Sequence, residues 1–94
     1  MRLSQFEQQV IKQTIYARDA NAKIVLFGSR SDEGARGGDI DLLIISDDLK
    51  RHQLRKIRWQ LWEKLGMQKI DLVLSDTRLS NAFARAVFQK GIIL

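Results

Sequence analysis

The sequence predicts an α/β fold of the α+β kind: one domain, residues 1–94, in which helices flank a mixed β-sheet. Three observations carry that prediction. Apolar residues recur at helical spacing in three stretches, and short β-branched runs stand between them. The length, 94 residues with 45% hydrophobic content, suffices for one compact core and not for two.

Ser4 followed by Glu7 has the spacing of a capping box, and Leu3, Phe6, Val10, Thr14 and Ala17 then mark one helical face, so residues 4–20 read as a first helix. "KIVLF", closed by glycine, predicts a buried strand from Lys23 to Phe27. "GSRSDEGARGG" holds four of the six glycines and no aliphatic residue larger than alanine, which predicts a loop with unusual backbone freedom. A second strand follows over Asp39 to Ile45. "SDD" at 46–48 offers a cap for a helix from about Asp48 to Leu65, with Leu54, Ile57, Leu61 and Leu65 as its apolar face and Gly66 as its stop. "KIDLVLS" predicts a third strand, 69–75. Leu79, Ala82, Phe83, Ala86 and Val87 then mark a last helix, ended by Gly91, and "IIL" offers a short edge strand.

Composition narrows the chemistry. Without cysteine there is no disulfide, thiolate catalysis or cysteine-ligated zinc, and the lone His52 builds no histidine metal site, so any metal sits on oxygen ligands. No stretch has the apolar length of a membrane span, and "MRLSQFEQQ" lacks the apolar region of a signal peptide; a cytoplasmic protein without membrane contact is expected. The net charge of +5 is uneven. Residues 1–50 carry seven Lys/Arg against eight Asp/Glu, and residues 51–94 carry nine against three.

Two acids interrupt an aliphatic run. Because strand side chains alternate, Asp39 and Asp41 project to one face while Ile40, Leu42 and Ile44 project to the other. Asp71 stands the same way in the third strand, and if the two strands are neighbours the three carboxylates converge on a divalent cation site. Oxygen-only ligation suits magnesium or manganese, which also take oxygens from a bound phosphate. For that phosphate, Gly28 and Ser29 at the mouth of the first strand offer a close backbone, an amide and a hydroxyl, and Arg30 or Arg36 offers positive charge. The spacing matches neither the Walker phosphate loop nor the GxGxxG dinucleotide fingerprint.

Gly28-Ser29, a loop, Asp39-x-Asp41 in a strand and Asp71 on a later strand together resemble the minimal nucleotidyltransferases of the DNA polymerase β superfamily, over nearly the whole chain. Nine residues separate Ser29 from Asp39, a slightly short loop for that family. The resemblance implies the nucleotidyltransferase fold, with Asp39 and Asp41 holding the metals, Asp71 helping to activate the attacking hydroxyl, and Gly28 and Ser29 binding the phosphates of a nucleoside triphosphate. It further implies transfer of AMP from ATP, with Mg2+ or Mn2+, to a tyrosine hydroxyl of a small all-helical HEPN-type toxin. The chain would then be the antitoxin of a HEPN/MNT pair, an arrangement that admits a hetero-oligomer.

A rival reading is a catalytically degenerate module of the same shape that neutralises its partner by binding alone. The run "KRHQLRKIRWQLW" lines Arg51, Arg55, Arg58 and Trp62 along one face, which suits RNA or a partner protein. No aromatic-rich sheet motif accompanies the charge, however, so direct nucleic-acid binding is not expected, and Trp62 reads as cover for the edge of the core.

Overall fold

The computed structural model describes residues 3–31 and 38–94. Helix α1 (Gln5–Tyr16) leads into strand β1 (Lys23–Phe27) and a 3-10 turn (Gly28–Ser31). Strand β2 (Ile40–Ile45), helix α2 (Gln53–Leu65), strand β3 (Ile70–Ser75), helix α3 (Ala82–Lys90) and strand β4 (Ile92–Ile93) complete the order. The strands form one sheet in the order β3-β2-β1-β4, with β2 parallel to β3 and β1 antiparallel to both β2 and β4. This is the expected mixed sheet, and "IIL" supplies its edge.

Alternation along β1 and β2 sorts their side chains into two cores. Ile24, Leu26, Ile40, Leu42 and Ile44 face α1 and α2, meeting Val10, Ile11, Ile15, Leu54, Ile57 and Leu61. Val25, Leu43 and Ile45 face the other way, onto Ala84 and Val87 of α3. β2 lies between two strands and between two layers of helix, so every residue in it except Asp41 is buried. Gly91 ends α3 against β1, where a β-carbon would run into Val25.

Helix boundaries shift inward from the sequence expectation for identifiable reasons. The capping box at Ser4 and Glu7 is formed, with each side chain accepting from the other's backbone N–H at 3.1 and 3.0 Å. Yet α1 stops at Tyr16 and not at residue 20, because Arg18 and Asp19 N–H both turn back onto the Ile15 carbonyl and Asp19 is drawn into the interior. There its carboxylate accepts from the Ser46 hydroxyl at 2.5 Å. That same hydroxyl accepts from the N–H of Asp48 and Leu49, so "SDD" makes a turn and does not cap a helix. α2 accordingly begins five residues later than expected, behind His52, whose side chain makes no capping bond. Trp62 packs on the main core and donates to the Gln68 carbonyl at 2.8 Å, whereas Trp59 stays 58% exposed. Among the described residues no helix is long and apolar enough to cross a membrane.

Candidate active site

The site is built at the end of β1, where the chain leaves the sheet and β2 enters it. Phe27 lies opposite Asp41 in the antiparallel register, and on the other flank Asp41 lies opposite Asp71 in the parallel one. The sheet therefore brings Asp41 and Asp71 side by side on the face that carries α3. Asp39 stands one residue before β2, not inside it as the sequence suggested. Its carboxylate meets the Lys69 ammonium at 3.8 Å, a half-exposed contact of the kind that contributes little.

Gly28 closes the site from the β1 side. Its φ of 73° lies in the left-handed region, and a β-carbon there would collide with Asp41 Oδ2. Only a bare backbone fits against the carboxylate. Ser29 belongs to the same 3-10 turn. Arg36 lies outside the described residues, so its expected role is not placed.

The Arg30 side chain is engaged by the protein. It donates to the Gly38 carbonyl at 3.0 Å and to Gln68 Oε1 at 3.2 Å, and it approaches Glu7 at 3.6 Å. These contacts tie the far end of the loop, just before Asp39, to α1 and to the segment leading into β3. The sequence offered no local signal for Glu7 or Gln68 in this neighbourhood, and each reaches it through tertiary contact. Lys69 stands two residues before Asp71, on the approach to β3.

Electrostatics single out Asp41. Burial raises its pKa above the ordinary carboxylate value, a hydrogen bond with Asp71 and the charges of Asp71 and Asp39 raise it further, and Lys69 opposes them. Asp41 thus sits where a cation would relieve both its burial and the repulsion from its neighbours. Among the described residues no group of three or more potential ligands is gathered closely enough to hold a metal ion, and Asp39 is in contact with Lys69. The donor set nonetheless suits a hard cation, being carboxylate oxygen throughout.

A model of the polymerase beta nucleotidyltransferase family matches residues 9–94. The chain belongs to this family. A search of the curated proteins found no match. The polymerase beta match covers every strand and both carboxylate-bearing elements, and it makes nucleotidyl transfer the general function of the chain. Nucleotidyltransferase domains of this family generally use a nucleoside triphosphate and a divalent metal.

Proposed function

We propose that the chain is a minimal nucleotidyltransferase that moves AMP from ATP to a hydroxyl, that of a tyrosine on a HEPN-type partner, and so acts as its antitoxin. One observation carries the transferase part: Asp41 and Asp71 stand in register beside a glycine turn whose backbone abuts the Asp41 carboxylate. Family membership supports the reaction class, and the resemblance of the Gly-Ser and Asp-x-Asp motifs to minimal nucleotidyltransferases supports the partner.

In this reading the acceptor oxygen bonds to the α-phosphorus, the bond to the bridging oxygen breaks, and pyrophosphate leaves. Asp71, the more exposed of the paired acids, receives the acceptor's proton. Asp39, Asp41 and Asp71 would hold magnesium or manganese, which when bound supplies neutralisation of the phosphate charge. Gly28 and Ser29 offer backbone to the phosphates, and Arg30 fixes the loop that delivers Asp39.

The contact between Asp39 and Lys69 favours a second reading, a degenerate module that neutralises its partner by binding alone. One experiment separates the two. The chain is incubated with its co-purified partner, ATP and magnesium, and the partner is weighed by mass spectrometry. Transfer adds one adenylyl group, and Asp41→Asn or Asp71→Asn abolishes the gain while the complex stays intact. A partner of unchanged mass with wild-type protein, across magnesium, manganese and all four nucleotides, would leave the binding module.

A further inference from the structure

An apolar cavity of about 230 Å³ opens beside Gly28, lined also by Phe27, Phe83, Ala86, Val87 and Lys90. It begins at the residue whose backbone abuts Asp41 and runs along the flank of α3. Phe83 is 53% exposed, unusual for a phenylalanine on a helix whose neighbouring face forms a core, and its ring is fixed by an edge-to-face contact with Phe27 at 5.9 Å and 80°.

We propose that this cavity is the nucleobase subsite of the transferase, with Phe83 as the stacking platform for the base. The inference rests on the nucleotidyl-transfer reading and adds to it the residues that hold the nucleoside end of the substrate. Sheet order decides between the two molecules that must meet here. Asp41 lies on β2, with β3 on one side and β1 on the other. The β3 side carries Asp71 and Lys69 and is polar, which suits an acceptor hydroxyl that must lose a proton. The β1 side carries the Gly28 turn and then the apolar cavity, so a ligand with its phosphates on that turn has its uncharged end within reach of Phe83. A flat heteroaromatic base is the part of a nucleotide that gains from an exposed ring in an apolar trough.

Titration calorimetry on the full chain in magnesium tests this, using each of the four common nucleoside triphosphates and inorganic triphosphate as probes. Because stacking on one aromatic ring is the contribution removed, Phe83→Ala should weaken the best nucleotide by about five- to tenfold, and Ala86→Trp, which fills the trough, at least as much. Inorganic triphosphate should bind all forms alike, and Phe83→Tyr should bind nucleotide as wild type does. Positions 83 and 86 are both exposed, so the variants should fold, and matching melting curves check this. Nucleotide binding unchanged in Phe83→Ala and Ala86→Trp would overturn the base subsite and leave the transfer reading standing. Parallel weakening of inorganic triphosphate would also overturn it, by placing the effect at the phosphate end. Wild-type protein that bound neither nucleotide nor triphosphate would remove both inferences together.

Discussion

Asp41 sits where burial and like charge act in the same direction. A carboxyl whose folded pKa is raised binds more protons folded than unfolded, so its contribution to stability is fully present below the ordinary carboxylate pKa and is lost as pH rises through the folded value. At neutral pH and without a cation, the charge of Asp41 beside Asp71 is therefore a liability. Asp41→Asn should melt higher than wild type in chelator at pH 7, and the gap should close as pH falls below the carboxylate range. After screening by solvent the effect is on the order of 1 kcal/mol, which is about 4–8 °C for a domain of this size. Magnesium should then raise the melting temperature of wild type more than that of the variant. Melting curves at several pH values, with and without magnesium, check both. A variant that melts lower in chelator, or an equal magnesium shift, would assign Asp41 a purely structural role.

The elements are joined at a place the active site does not touch. Ser46 Oγ donates to buried Asp19 after α1 and accepts from two backbone N–H groups before α2, so one hydroxyl fixes the end of one helix and the approach to the next. Removing it leaves a buried carboxylate and two amides short of partners. Ser46→Ala should lose about 2–4 kcal/mol, more than a surface hydroxyl would, because the unmet groups include a charge. The loss is read as a lower urea midpoint, and a loss below 0.5 kcal/mol would show the junction to be water-satisfied. The element pattern itself was legible beforehand: the Ser4 and Glu7 box, the short β-branched runs and the stop at Gly66 are local. The starts and ends were not. Asp19 and Ser46 are 27 positions apart, and nothing in "SDD" alone says that its serine is engaged elsewhere.

For the molecule as a whole, the sheet order is what turns scattered acids into a site. Alternation, a local rule, put Asp39 and Asp41 on one face in the sequence, yet Asp39 lies just before β2, and the pairing of β2 with β3 is what sets Asp71 beside Asp41. The lean of Asp39 toward Lys69, the anchoring of Arg30 by Gln68, and the cavity between Phe27 and Phe83 depend on contacts across 30 or more positions, and no local rule exposes them. Nucleotidyl transfer at the Asp41 and Asp71 pair is the central claim, and isotope position tests it most directly. The chain and the proposed HEPN-type partner are incubated in magnesium with ATP labelled at the α-phosphate and, separately, at the γ-phosphate. The account predicts that α-label enters the partner, that γ-label is recovered as pyrophosphate, and that Asp41→Asn transfers neither. Entry of γ-label into the partner, or α-label transfer by Asp41→Asn at the wild-type rate, would contradict it.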